Sequence, residues 1–243
     1  MSDIYGIAKS GLKAYKEGLA TTGQNIANVG NAAYARREAP VSEVTSGKDV
    51  LQVSNTAGFG VRVDGITRAF DQFIETQLQS ASSGFSFSTA QATVLNQLET
   101  VVRPAEGSVS QKIQELFSSL NSVAQDPSDL ASRQVAANAS MGLVNSITTV
   151  ANGISDLRTF VSQDIESNVA QANDILDQLA NLQNQLLGIS SNKHGPNDLL
   201  DKRDALLKDL SELMDINVEY KPNGLLEVNA GTFGQGQSLI SGI

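Results

Sequence analysis

Cysteine is absent from the 243 residues. That excludes a disulfide framework, a thiolate metal site and a cysteine nucleophile. Tryptophan is absent too, and aromatics make up only 5% of the chain. A rounded domain of this length usually carries more aromatic volume in its core, so small and aliphatic side chains between long helices fit better. No run of about eighteen apolar residues occurs, so no membrane-spanning helix is expected. A cleaved secretory signal is not expected either, because Asp3, Lys9, Lys13, Lys16 and Glu17 interrupt the amino-terminal stretch. The net charge of −9 disfavours nucleic acid as a partner. The first forty residues carry Lys9, Lys13, Lys16, Arg36 and Arg37 against Asp3, Glu17 and Glu38. That excess of positive charge is too small for a phosphate-binding arm. There is no Walker-type phosphate loop and no Gly-x-Ser-x-Gly elbow, and the glycines of "GFGVRVDG" flank a strand rather than open a helix.

What the chain does have is period. Tyr5, Ala8, Leu12, Tyr15, Leu19, Thr22 and Ile26 step alternately by three and four, a seam of the coiled-coil type with one polar member. Ile4, Ile7 and Gly11 widen it. Gly6, Gly11, Gly18 and Gly23 weaken this helix, each by roughly 1 kcal/mol against Ala. It should therefore need helical partners. The period fails at "QNIANVGNAAYARRE", where Asn25, Asn28, Gly30 and Asn31 cluster. Asn and Gly tolerate the left-handed backbone that ends a helix. A helix terminus is the preferred account of the amides, with a recognition role as the alternative.

Residues 35–66 should be extended, as a β-hairpin or a long packed loop: Val61 and Val63 alternate with Arg62 and Asp64, and Gly58, Gly60 and Gly65 mark turns or bulges. From about Phe70 helices dominate. Phe87, Ala90, Val94, Leu98 and Val101 form one stripe, ended by Arg103-Pro104. Ile113, Leu116, Leu120 and Val123 form a second, ended by Asp126-Pro127, after which Ser128 is a candidate N-cap. Met141, Val144, Ile147, Ala151 and Ile154, continued by Val161, Ile165, Val169, Ala172, Leu176, Leu179, Leu182 and Leu186, make the longest. A helix from about 128 to 190 would be roughly 90 Å long, which predicts an elongated molecule. Its stripe over 161–186 is expected to be filled within the chain. Leu199, Leu206, Leu210 and Leu213 mark a further helix, and "INVEYKPNGLLEVNAG" a β-hairpin turning at Pro222-Asn223-Gly224. "SLISGI" starts another strand, which suggests a chain cut short. Met and Phe residues read as core. The expected fold is mainly α: an elongated bundle of long coiled-coil-like helices, with small β-hairpin elements near residues 35–66 and 216–243. Three segments are expected, 1–34, 35–215 and 216–243.

Candidate chemistry is sparse. The single His, His194, lies near Asp198, Asp201 and Asp204. A hydrolytic metal site needs several ligands converging on a point, whereas Asp198 and Asp201 follow Pro196 at a helix start, where carboxylates cap free N–H groups. Asp204 can pair with Lys208 at i, i+4. Capping is preferred over catalysis, and no catalytic residue, metal or cofactor is expected.

At "GLKAYKEGLATTGQNIANVGNAAYARRE" the chain resembles the amino-terminal motif of the flagellar rod, hook and hook-associated proteins. Gln24 to Asn28, Tyr34 and Arg36 match that pattern, while Gly30-Asn31-Ala32-Ala33 replaces its usual Asn-Thr-Pro-Gly. "GFGVRVDGITRAFDQFIETQL", "QDPSDLASRQ", "GPNDLLDKRDALLKDLSELMDINV" and "KPNGLLEVNAGTFGQGQSLISGI" are similar, in order, to segments of the hook-associated branch. The resemblance implies a structural subunit that self-assembles at the hook–filament junction, with hook protein and the next junction protein as neighbours. It implies export through the flagellar type III apparatus and an extracellular place on the flagellum, without membrane insertion. It further implies that residues 1–34 form an inner-core helix, disordered in the monomer. The subunit interface would comprise Ile4, Ile7, Ala8, Leu12, Tyr15, Leu19, Asn25, Ile26, Asn28 and Tyr34. A sibling hook or rod protein is the alternative. From other classes, a flagellum-linked wall hydrolase and a cytosolic coiled-coil scaffold compete.

Overall fold

The apolar spacing is answered by helices α1 (Ile4–Ala27), α2 (Gln72–Val102), α3 (Val109–Gln125), α4 (Leu130–Ile189) and α5 (Asn197–Leu213). Between α1 and α2 lie short strands β1 (Arg37–Glu38), β2 (Val41–Glu43), β3 (Val61–Val63) and β4 (Thr67–Arg68). After α5 come β5 (Ile216–Tyr220), β6 (Leu226–Ala230) and β7 (Ser238–Ile240). The computed structural model describes residues 4–44, 58–102, 107–189, 196–221, 225–231 and 236–241. Arg103-Pro104, His194 and the Pro222-Asn223-Gly224 turn lie outside them. The fold is mainly α, and α4 alone is 60 residues, about 90 Å at the helical rise.

Two compact units divide the chain, residues 1–83 with 172–243, and residues 84–171. They do not follow the three consecutive segments expected from sequence. In the first unit β1 pairs with β4 and β2 with β3, both antiparallel, so residues 37–43 and 61–68 form the two sides of an arm. β5, β6 and β7 form an antiparallel meander in that order. The strand begun at Ser238 therefore has a partner in β6. One face of this sheet packs on α5 and on α4 from Ala172 onward. Leu179, Leu207, Leu210, Leu226 and Val228 are wholly buried there, with Ile216, Val218 and Ile240 beside them. The Gln183 side-chain oxygen accepts the Leu226 N–H at 3.1 Å, which satisfies the start of β6 from the helix side.

The second unit holds the rest of α2 and α4 with all of α3. The Val101 side chain of α2 seats on α4 at Gly153, where an added Cβ would stand 2.8 Å from Val101 Cγ1. The Ser146 hydroxyl donates to the Gly107 carbonyl at 3.0 Å. The packed face of α4 here runs through Leu143, Ser146, Val150, Gly153, Leu157 and Val161. The most apolar stripe is turned away from it: Met141, Val144, Ile147, Ile154, Ile165 and Val169 are all exposed. The expectation that the 161–186 stripe is filled within the chain holds at Val161 and from Ala172 on, and fails at Ile165 and Val169. Reading Phe as core also fails, because Phe59, Phe73, Phe85, Phe87, Phe117 and Phe160 are exposed. On α2 and α3, Val94, Leu98, Val101, Leu116 and Val123 are half-buried, while Phe87, Ala90, Ile113 and Leu120 face out. Long helices with few neighbours cannot cover more than one side of each other.

Helix ends correct two further expectations. α1 stops at Ala27 as its amides suggest, but Gly30 does not take a positive φ, and neither does any non-glycine among the described residues. The chain leaves α1 through successive tight turns, Asn31 N–H to Asn28 carbonyl at 2.9 Å and Tyr34 N–H to Asn31 carbonyl at 3.1 Å. At α4 the cap is Asp129, not Ser128. Asp129 accepts from the Ala131 and Ser132 N–H groups at 3.1 and 3.0 Å, while Ser128 donates to Asp126. A charged acceptor outcompetes a hydroxyl for free N–H groups at the positive end of a helix. These bonds, the Ser132 hydroxyl foremost, hold the Asp129 carboxyl below its usual value. A depressed carboxyl contributes stability above its unfolded pKa, and that stability is lost as pH falls through the folded one. Hydrogen-exchange protection of Ala131 and Ser132 is therefore expected to fall on acidification, and Asp129→Asn is expected to flatten that dependence.

Candidate subunit interface and its anchor

α1 is amphipathic in an inverted sense. Ile4, Tyr5, Leu12, Tyr15, Leu19 and Ile26 are between 68 and 82% exposed, with Ala8 and Thr22 exposed beside them. The side that meets the arm runs through Ile7, Ser10, Ala14, Thr21, Asn25 and Asn28, roughly 140° around the helix from the seam. Ala14 and Thr21 are buried there. Ile7 thus belongs to the arm side and not to the seam. A helix at the surface of a domain normally turns its apolar face to the core. Here the apolar face is the open one, a contiguous exposed apolar patch.

Small residues let α1 sit directly on the arm backbone. The Ser10 hydroxyl donates to the Ile7 carbonyl at 2.8 Å and accepts the Val61 N–H at 3.1 Å. Gly60 has φ +104°, and a Cβ there would lie 2.2 Å from Ser10 Oγ and 3.3 Å from the Ile7 Cα. Only glycine suits both the backbone and the space. Gly60→Ala is expected to destabilise the chain by roughly 1–3 kcal/mol, read as a shifted denaturant midpoint, with arm amides exchanging faster. An unchanged midpoint would show that the contact is not made in solution.

The carboxy-terminal end of α1 is clamped by an amide. Asn25 donates from Nδ2 to the Arg37 carbonyl at 2.9 Å, and its Oδ1 accepts both the Arg37 N–H and the Tyr34 hydroxyl at 2.9 Å. The side chain thus meets Arg37 as a neighbouring strand would, satisfying its N–H and its carbonyl together. Asn28 bonds back to the Gln24 carbonyl at 2.9 Å, and Asn31 Oδ1 accepts the Ala33 N–H at 3.1 Å. Of the three amides, Asn25 is the one with distant partners. Asn25→Ala leaves both Arg37 groups without their amide partner and is expected to cost about 1–3 kcal/mol, measurable by denaturation.

Arg37 leads to the carboxylates that were expected to cap α5. α5 has Pro196 at its N-cap position and no side-chain cap bond. Asp201 is instead buried and shared. Its Oδ2 lies 3.3 Å from Arg37 Nη2, and its Oδ1 lies 2.7 Å from Arg68 Nε, an ion pair by distance although the N–H is off line for a hydrogen bond. Arg37 and Arg68 are cross-strand partners in the β1–β4 pair, where like charges would repel without the carboxylate between them. Asp204 pairs with Arg68 and, at 3.2 Å, with Arg203, not with Lys208. The three guanidinium groups also stack on rings: Arg37 over Tyr34 at 4.9 Å, Arg68 over Phe70 at 5.3 Å and Arg203 over Tyr220 at 5.2 Å. Burial, and next the Asp204 charge, pushes the Tyr220 hydroxyl up to about 12. Burial and Asp204 likewise raise Glu75. Both aspartates on which a hydrolase would rest are thus occupied as arginine partners. Among the described residues no cluster of three or more His, Cys, Asp or Glu could hold a metal, and no helix is long and apolar enough to cross a membrane.

The family model described as the flagellar hook-associated protein FlgK helical domain matches residues 95–243. The chain belongs to the FlgK family of flagellar hook-associated proteins. Flagellar hook-associated protein 1 of Salmonella typhimurium is 31% identical over 100% of this chain and 43% of its own length. That of Escherichia coli K12 is 30% identical, over 100% of this chain and 44% of its own length. That of Bacillus subtilis is 24% identical over 89% of this chain, again 44% of its own length. The flagellar hook junction protein FlgK from Burkholderia pseudomallei superposes with a TM-score of 0.60 at 29% identity, over 71% of this chain and 29% of that one. This FlgK-family chain therefore spans less than half the length of the curated relatives it matches. The structure brings Asn25 and Tyr34 together at the root of α1, leaves the seam from Ile4 to Ile26 open, and sets Ile7 toward the arm. The arginine–aspartate group escaped the sequence reading. Its one local signal is the i, i+3 spacing of Asp201 and Asp204, which places both on one face of a helix.

Proposed function

We propose that this chain acts as a structural subunit of the bacterial flagellum that self-assembles at the hook–filament junction. The observation that carries the reading is the exposed seam of α1, in a chain of this family. Tyr5, Leu12, Tyr15, Leu19 and Ile26 meet helices of neighbouring subunits, and Asn25 and Tyr34 fix where the chain turns away from them. Hook protein and the next junction protein are the neighbours along the axis. The subunit leaves the cell through the flagellar type III apparatus and works outside it as a building element, not as an enzyme. With four glycines in its length and little but small side chains against the arm, α1 opens easily in the free subunit and closes when its seam is covered.

Immunogold microscopy on flagella isolated from the source cell, with antibody to residues 85–215, tests this. Label confined to the hook–filament junction is the expected result. Label along the hook or rod would reassign the subunit within the axis. Protein found only in the cytosol would overturn the reading.

A further inference from the structure

Arg37 is held from two sides. Its backbone N–H and carbonyl are bound by Asn25 at the end of α1, and its guanidinium lies against Asp201 of α5 and over the Tyr34 ring. Its cross-strand partner Arg68 reaches the same Asp201 and also Asp204. The root of the arm is joined to α5 again where the Asn197 amide donates to the Ile66 carbonyl at 2.9 Å. α5 is itself fixed, because Leu207 and Leu210 are buried in the sheet core. A chain of contacts therefore runs from the core through Asp201 and Arg37 to Asn25 and the seam-bearing helix.

We propose that Arg37, Asp201 and Arg68 form a buckle that sets the direction in which α1 leaves the core, so that α5 positions the assembly surface without belonging to it. Arg37 and Asp201 are positioning residues in this sense. The inference rests on the reading of α1 as the assembly surface. Its logic is geometric. Two like charges face each other across β1 and β4, and one buried carboxylate holds both, so the two strands and α5 are locked at one relative position. Arg37 then presents its N–H and carbonyl to Asn25 in that position alone.

The test uses the full-length protein carrying Arg37→Met, which keeps the apolar stem and leaves Asp201 paired with Arg68. Arg37→Lys restores the charge, Glu212→Gln on the exposed side of α5 is the control, and Leu12→Glu disrupts the seam itself. Hydrogen exchange of the arm-root amides Arg37 and Ala69 is compared with that of β5–β7, and incorporation into flagella is scored by immunoblot. Arg37→Met is expected to speed arm-root exchange by about tenfold or more, to leave the sheet unchanged and to reduce incorporation. Arg37→Lys is expected to recover part of both, and the control to behave as wild type. Unchanged arm-root exchange in Arg37→Met would overturn the buckle, and so would loss of sheet protection, since Arg37 would then be a folding residue. A loosened arm with normal incorporation would also overturn it, provided Leu12→Glu is excluded from flagella. If Leu12→Glu is incorporated as well, the assembly reading of α1 is what fails.

Discussion

Asp201→Ala is expected to destabilise the chain by roughly 3 kcal/mol, toward the lower end of what removing one partner of a buried ion pair costs. The lower end applies because the Arg37 side chain is still 19% exposed and water can reach part of it. Arg68 is the larger problem, with a side chain only 7% exposed. Without Asp201 it keeps Asp204, but faces Arg37 across the β1–β4 pair with nothing between them. Most of the loss should appear in the arm and in α1, because Asp201 holds Arg37 and Arg68 there, whereas the sheet meets this group at Tyr220, under Arg203. Denaturant unfolding followed by circular dichroism measures the total, and limited proteolysis locates it. Cleavage within the arm at protease levels that spare β5–β7 is the expected pattern. Replacing Asp201 with Leu together with Arg37 and Arg68 with Met should recover part of the stability, because desolvation of those three ions disappears along with their attraction, while Asp204 keeps only Arg203 of its two arginines. A loss under about 1 kcal/mol for Asp201→Ala would mean that the pair is open to solvent and acts as a surface bridge does.

Much of the fold was legible because helix period is a local property. α1, α3, α4 and α5 fall where the apolar steps place them, and the extended stretch before Phe70 became an arm in which Gly60 and Gly65 take positive φ. Which side of each helix is covered was not legible. The covered side of α1 carries Ser10, Ala14, Thr21 and Asn25 beside Ile7, and all of these but Ile7 carry almost no hydrophobic signal. They are chosen for closeness, since a small side chain lets the Gly60 backbone approach. In α4 the same apolar stripe is open near Val144 and closed near Leu179, and no feature of the stripe marks the change, because the cause is the presence of α5 and the sheet. The partners of Asp201 were not legible for a related reason. Its neighbours Asn197 and Asp198 make a good helix start, which is local, while its true partners lie 164 and 133 residues away in the chain, at Arg37 and Arg68. The amides of α1 were assigned to a helix terminus, and that is where they stand, but the specific task of Asn25 depends on a strand that follows it.

Leu12→Glu combined with Leu19→Glu is expected to abolish assembly while leaving the free chain folded. Both leucines are 74% exposed, so charges there meet water, and exposed substitutions usually change stability by less than about 0.5 kcal/mol. At a subunit contact the same change removes two apolar side chains, each worth about 1.5–3 kcal/mol when buried, and puts two carboxylates into an apolar seam, with Lys9 and Lys16 beside them on the same helix. Repeated at every contact around an axial structure, that is enough to exclude the subunit. Ala14→Glu is the informative contrast. Ala14 is 5% exposed and faces the arm, so a long charged side chain there should push α1 off its support and lower the stability of the chain itself. The pair of results separates the two sides of one helix, with the seam variant defective in flagellar incorporation and swimming but normal in unfolding, and the Ala14 variant defective in both. Normal swimming by the double glutamate variant would remove α1 as the assembly surface. The open stripe of α4 from Met141 to Val169 would then be the next apolar face to test.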